Sequence, residues 1–306
     1  TWEYADGRDA LLNLYSKGKR LQWDAEDRLD WSQDLDPTNP MEMPDEAIPI
    51  HGSPAFNRMN ESEKAELRRH FQSWQISQFL HGEQGALICT AKIVQQVPDI
   101  DSKFYAATQV MDEARHAEVF RKRALSTGYG LMRASVHNER NLKFLRDADS
   151  FTEASLTLHL QAEGMVLTLF RFSEFLSPTE GDKKLFRLVM QDEARHVGYG
   201  MQHLKWVLKH NPDCREVIHR HLDEAENFVF GAIYASEVLE PFAILAGKGM
   251  KKENLEKGLE ITARFNIQQT EEYFERLDKC GLPERRERSK LHQALEMARA
   301  SLAAVQ

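Results

Sequence analysis

Long apolar runs are missing from this chain. Nowhere do about 18 uncharged apolar residues follow one another, so no segment reads as a membrane-spanning helix. Cysteine is scarce. The three thiols, Cys89, Cys214 and Cys280, are isolated and odd in number, which excludes a CxxC metal knuckle and suits a reducing cytosol. The opening residues, TWEYADGRDA, lack the basic and apolar regions of a secretory signal, so a cytoplasmic location is expected. Positive charge is in deficit. A formal net charge of −8 argues against nucleic acid as a partner. Period-2 alternation between turn signals is absent as well, which argues against strands. Against these absences stand 306 residues, 42% of them hydrophobic, which is ample for a core.

Half of the ten prolines, Pro37, Pro40, Pro44, Pro49 and Pro54, crowd into one short segment. Residues 36–57 therefore read as an extended arm. A short helix near 8–19 and the Trp-bearing acidic stretch QWDAEDRLDW precede it. After the arm, helix signals dominate. Asn60 with Glu63 and Ser150 with Glu153 have capping-box spacing. Amphipathic stretches run over about 61–97, 100–126, 150–176 and 180–210, and Asn211-Pro212 opens a further helix. The expected organisation is all-α in one continuous domain: an N-terminal helix and arm over 1–60, a four-helix bundle over 61–210, and C-terminal helices packed on it over 211–306.

One pentapeptide, D-E-A-R-H, is written twice, at Asp112–His116 and at Asp192–His196. In each copy a Glu and a His stand three apart, Glu113 with His116 and Glu193 with His196, which puts both on one helix face. A single E-x-x-H is a weak sign of metal binding, because a solvated helix face uses the same residues. The surroundings sharpen it. Glu83 stands thirty residues before Glu113, and Glu163 thirty before Glu193, each inside an apolar helix face where an unpaired carboxylate is costly. Pro98 and Pro178 lie at the two midpoints. Each half thus reads as helix, proline turn, helix, with legs of about 22 Å. Two such hairpins, packed together, bring all six side chains to one level. A Glu from each of two helices and Glu-x-x-His from the other two is the ligand pattern of di-iron carboxylate bundles. Four carboxylates balance two divalent ions, and the mixed O/N donor set suits iron or manganese.

On these residues the chain resembles the ferritin-like di-iron carboxylate oxygenase superfamily. That group includes multicomponent monooxygenase hydroxylase subunits, arylamine N-oxygenases, acyl-carrier-protein desaturases and ribonucleotide reductase small subunits. The resemblance covers about 61–210. It implies Glu83, Glu113, His116, Glu163, Glu193 and His196 as ligands of two Fe ions, or of a Mn/Fe pair, with Glu113 and Glu163 as candidate bridging carboxylates. It also implies second-layer roles for Asp112 and Asp192, which would accept the outer N–H of His196 and His116 across the bundle, with Arg115 and Arg195 neutralising them. Two departures narrow the choice of branch. The place of the ribonucleotide reductase radical tyrosine is Phe120, with Tyr199 a poor substitute. Typical arylamine N-oxygenases carry a further His four residues before the last ligand Glu, and that place here is Val189, which points away from that branch.

His159, one turn before Glu163, is a candidate seventh ligand; the commoner meaning of a lone buried His is a satisfied core residue. His81 is expected to be structural. Small residues beside the candidate ligands, Gly82, Gly85, Ala86, Ala162 and Gly164, suggest room for substrate, since glycine inside a helix costs about 1 kcal/mol. Phe79, Phe120, Leu167 and Phe170 are the expected walls, and Thr90 and Thr168 candidate hydroxyls near bound oxygen. The expected function is an O2-activating oxygenase that hydroxylates or N-oxygenates a small organic substrate. Electrons would come from a ferredoxin or reductase, and a homodimer is the expected assembly. A desaturase or oxidase acting on an acyl substrate, and a non-catalytic iron-handling bundle, are the alternatives.

Overall fold

The computed structural model describes residue 4 and residues 8–32, 35–233 and 236–304. Among these residues every regular element is a helix. The first described helix is α1 (Asp9–Arg20); short helical turns follow at Ala25–Arg28 and Pro54–Asn57, with a 3-10 turn at Asp45–Ala47 between them. The Pro-rich segment is therefore irregular and turned rather than uniformly extended. Two long hairpins follow. The first pairs α2 (Glu61–Gln96) with α3 (Ile100–Ser126). The second pairs a composite helix with α7 (Glu180–His210). The composite is α5 (Phe151–Ser155), a π-helical segment Leu156–Glu163, and α6 (Gly164–Leu176). Between the hairpins lies α4 (Val136–Arg146), a helix that the sequence pattern did not suggest. The chain ends with α8 (Arg215–Ile233), α9 (Ser236–Gly247), α10 (Lys252–Cys280) and α11 (Lys290–Ala304).

Local chemistry sets the hairpins. Val97 before Pro98 (φ −64°, ψ 137°) and Ser177 before Pro178 (φ −66°, ψ 126°) are both extended, because the proline ring disfavours helical backbone in the residue ahead of it. Each return helix then starts on a capping side chain: Asp99 accepts from the Ser102 N–H and Thr179 from the Asp182 N–H. Both capping boxes, Asn60 with Glu63 and Ser150 with Glu153, are formed reciprocally. A short turn forces neighbouring helices antiparallel, so residues equidistant from the turn meet at the same height.

Three apolar clusters surround the centre of the bundle. Ile93, Tyr105, Leu158 and Tyr199 pack with Leu11 of α1 at one end. Ile76, Phe120, Phe170, Phe186 and Val189 pack with Trp23 at the other. A third cluster ties α7 to α8, α10 and α11 through Leu204, Leu222, Tyr273, Phe274 and Leu295. No helix among the described residues is long and apolar enough to cross a membrane.

Candidate metal centre and adjoining cavity

The six side chains converge between the two hairpins, and none is more than 6% exposed. Their ligand atoms form two overlapping groups, each within 4.8 Å: Glu83, Glu113, His116 and Glu193, and Glu113, Glu163, Glu193 and His196. Nδ1 of His116 lies 3.2 Å from Glu83, 3.6 Å from Glu113 and 3.0 Å from Glu193. Nδ1 of His196 lies 3.2 Å from Glu113, 3.7 Å from Glu163 and 3.0 Å from Glu193. The carboxylates common to both groups are Glu113 and Glu193, not Glu113 and Glu163. The reason is symmetry: the two D-E-A-R-H copies face each other across the bundle, whereas Glu83 and Glu163 stand on opposite flanks.

Behind the imidazoles lies a buried ionic quartet. Asp112 accepts from His196 Nε2 at 3.2 Å, and Asp192 from His116 Nε2 at 3.2 Å. Arg115 bridges the two aspartates at 2.5 and 2.8 Å, and Arg195 does the same at 3.1 and 2.6 Å. Burial works against ionised Asp192, but His116, Arg195 and Arg115 outweigh it and hold its carboxyl well below the usual range. An ionised carboxylate only accepts, so each His carries its proton on Nε2 and turns Nδ1 to the centre.

Residues from the acidic stretch close this layer. Trp23 donates its indole N–H to Asp192 at 2.7 Å, under the Arg115 guanidinium at 4.6 Å from the ring centroid. Gln22 donates to Asp112 at 2.7 Å and accepts from Arg115 at 2.6 Å. The sequence pattern alone gives neither residue a role. The available signal was that a buried indole N–H needs an acceptor.

The donor set fits two divalent ions. Asp112 and Asp192 are balanced by Arg115 and Arg195, so the four glutamates are left facing two imidazoles. Burial pushes the Glu83 carboxyl up to about 8 and Glu163 well above its ordinary value, although neighbouring imidazoles oppose both shifts. Glu193, by contrast, is held down to about 2 in spite of burial by His196 and His116. Glu113 Oε2 and Glu163 Oε2 are buried without a hydrogen-bond partner. Buried carboxylates with orphaned oxygens are what a metal pair satisfies.

His159 is not part of either group. Its Nδ1 faces Ser155 Oγ at 2.9 Å and its Nε2 faces Gln109 Oε1 at 3.1 Å, so both nitrogens are occupied by protein. Gln109 in turn donates to Glu113 at 3.0 Å and Glu163 at 2.9 Å. Burial, with His196 next, keeps the His159 ring well below its ordinary pKa and hence neutral. The expected seventh-ligand candidate is thus a buried prop, one step removed from the carboxylates. His81 is structural in the plain sense: its Nε2 donates to Met132 O at 2.8 Å.

A cavity of about 390 Å³ reaches Glu83, Glu163 and Glu193. Phe79, Gly82, Ala86, Ala162 and Phe170 line it as expected from sequence, together with Val166, Leu169, Phe242 and Phe265. A Cβ on Gly82 would meet nothing within 4 Å, so this glycine does leave space. Four other expected wall residues do not line it. Gly85 lets Leu142 of α4 pack directly on α2, and Gly164 lies under the Arg276 guanidinium, 2.7 Å from where its Cβ would be. Both glycines serve helix packing. Phe120 is fully buried in the Phe79, Phe170 and Phe186 cluster. Leu167 lies off the α6 face that Met165, Val166 and Leu169 present. Of the two threonines, Thr168 donates to Glu272 at 2.7 Å, and Thr90 is buried outside the cavity lining. The π-helical segment, unforeseen in the sequence, supplies Thr157, Leu158, Gln161 and Glu163 to the lining.

Residues 5–239 match the family profile described as P-aminobenzoate N-oxygenase AurF. The chain belongs to this family. Membership in the AurF family overrides the expectation drawn from Val189: the missing histidine does not remove the chain from the arylamine N-oxygenases. Solved structures similar to this AurF-family chain include R2-like ligand-binding oxidases. A tyrosine-to-phenylalanine variant with anaerobically reconstituted Mn/Fe cofactor superposes with TM-score 0.62 at 19% identity, covering 88% of this chain and 93% of that one. A glutamate-to-aspartate variant with aerobically reconstituted Mn/Fe cofactor gives 0.60 at 18% identity, over 88% and 92%. These likenesses concern the fold. No curated protein matches the chain. The AurF family and the convergent carboxylates together make this a di-metal oxidoreductase with a ferritin-like bundle.

Proposed function

We propose that this AurF-family protein is a di-iron oxygenase that converts a small aromatic amine to its N-oxygenated product. The observation that carries the reading is the cavity, apolar along its walls and ending on Glu83, Glu163 and Glu193. Its volume falls in the ordinary range for small-molecule sites. In this reading Glu83, Glu113, His116, Glu163, Glu193 and His196 would hold the metal pair. The bound metal pair supplies activation of O2. The protein groups do the rest. Asp112 and Asp192 hold the outer imidazole protons and aim Nδ1 inward, while Arg115 and Arg195 keep these aspartates ionised. Gln109 braces Glu113 and Glu163. Phe79, Val166, Leu169 and Phe170 keep water from the reacting amine. Forming a hydroxylamine from an amine and O2, with the second oxygen leaving as water, takes two electrons and two protons. A separate ferredoxin or reductase supplies the electrons, and solvent the protons.

The test is a single turnover of chemically reduced protein with 18O2 and a panel of aromatic amines, arenes and acyl thioesters. Label in an N-oxygenated product is expected. Label-free alkene would establish the desaturase alternative instead. Oxidation of added iron with no organic product would establish the iron-handling one.

A further inference from the structure

Gln161 stands two residues before Glu163 in the π-helical segment, lines the cavity and is 6% exposed. Its side-chain amide donates to Ala225 O of α8 at 2.6 Å. A backbone carbonyl can only accept, so this contact fixes Nε2 toward Ala225 and turns Oε1 the other way. That Oε1 is buried with no hydrogen-bond partner. A buried acceptor without a donor is costly, and a ligand that brings a donor recovers the loss. A second property of the lining is independent of the first. Its acidic residues are Glu83, Glu163 and Glu193, all three in the candidate metal groups; it includes no lysine and no arginine. None of the residues outside the described set is Lys, Arg or His. The lining has one imidazole, His137, which is half-buried in the first turn of α4.

We propose that the cavity selects a neutral aromatic amine that donates a hydrogen bond to Gln161 Oε1, and that it rejects aromatic amines carrying a carboxylate. This rests on the reading of the cavity as the substrate site. The compound in the family's description, p-aminobenzoate, is an anion at neutral pH. In this cavity its carboxylate would be stripped of water among apolar walls with no lysine or arginine to pair with, and the charge of the metal pair is already balanced by the four glutamates, which is the unfavourable case for a buried charge. The donor requirement sets aniline-like ligands apart from hydrocarbons of the same shape. Discrimination by one buried polar group exceeds what a methyl-sized shape difference provides.

The experiment is calorimetric binding to the metal-loaded protein, with 4-aminobenzamide and 4-aminobenzoate as one pair of probes and aniline and toluene as the other. The amide is expected to bind about 100-fold more tightly than the benzoate. Aniline is expected to be preferred over toluene, and Gln161→Met, which keeps bulk and removes the acceptor, should cut that preference about tenfold. Benzoate binding as tight as the amide would overturn the inference and leave the oxygenase reading standing. An unchanged aniline-to-toluene ratio in a Gln161→Met protein of normal metal content would remove Gln161 from it. Failure of every aromatic amine to bind would overturn both the inference and the reading. The comparison of amide with benzoate uses the parent protein alone, so it decides even if the variant folds poorly.

Discussion

The two hairpins carry the same words and do different jobs. Each has a proline turn, a capped return helix and a D-E-A-R-H whose Glu and His point to the centre. They differ in two places. In the first, Glu83 sits on an uninterrupted α-helix; in the second, Glu163 ends an eight-residue π-helical segment. There the Gly164 N–H reaches back to His159 O, five residues away. The wider turn is a familiar device at functional sites. Four residues before the Glu of the repeated pentapeptide, the first hairpin has Gln109, tied to Glu113, Glu163 and His159. The second has Val189, fully buried among Phe120, Phe170 and Phe186. The shared pattern builds a nearly two-fold metal centre. The departures from it make one flank a polar brace and give that flank a face on the cavity.

The largest effects should come from the shared carboxylates. Glu113→Ala or Glu193→Ala should strip most metal from both positions, since each serves both groups. Glu83→Ala or Glu163→Ala should cost chiefly one ion. Metal analysis of folded, iron-supplied protein checks this. Equal losses from all four variants would mean that the groups are not paired as described.

Next in size are the aspartates. Asp112→Asn and Asp192→Asn should each weaken metal affinity about 10–100-fold. The Asn form is the informative one. Alanine would leave Arg115 and Arg195 short of a buried partner and cost about 3–5 kcal/mol of stability, hiding the effect on metal. Competition with a chelator gives the affinities. Parent-like values for both variants would show that the imidazoles need no orienting acceptor.

Gln109→Val would make the first hairpin imitate the second. It strands the His159 Nε2 contact and two carboxylate contacts, so denaturant unfolding of metal-free protein should show a loss of about 1–3 kcal/mol. An unchanged midpoint would mean that the brace is dispensable. The smallest effect is expected at Tyr199, whose hydroxyl donates to Ser102 O at 3.2 Å. Tyr199→Phe should cost about 1 kcal/mol. Reduced parent protein exposed to O2 should show no long-lived tyrosyl EPR signal, because the radical position is Phe120. A strong signal abolished by Tyr199→Phe would contradict this.

The repeated pentapeptide, the thirty-residue spacings and the midpoint prolines made the bundle readable in one dimension. Each is local chemistry: a residue ahead of proline turns extended, a capping side chain restarts a helix, and a three-residue step keeps Glu and His on one face. Those rules determine where the hairpins bend and which side chains reach a common height. They do not say which flank meets which. That Glu193, and not Glu163, is shared follows from how the hairpins face each other. That Gly85 and Gly164 admit Leu142 and Arg276, and not substrate, follows from where α4 and α10 pack. Trp23 and Gln22 lie about ninety residues or more from the groups they bind, and no periodicity connects them. Gln161 could be read from sequence only as one more polar residue in a helix; it became an acceptor without a partner when Ala225 of a distant helix took its other end. Spacing along a chain settles what shares a helix face, because the helix repeat is fixed. What that face meets is decided by packing among helices far apart in sequence, and only the folded chain holds that information.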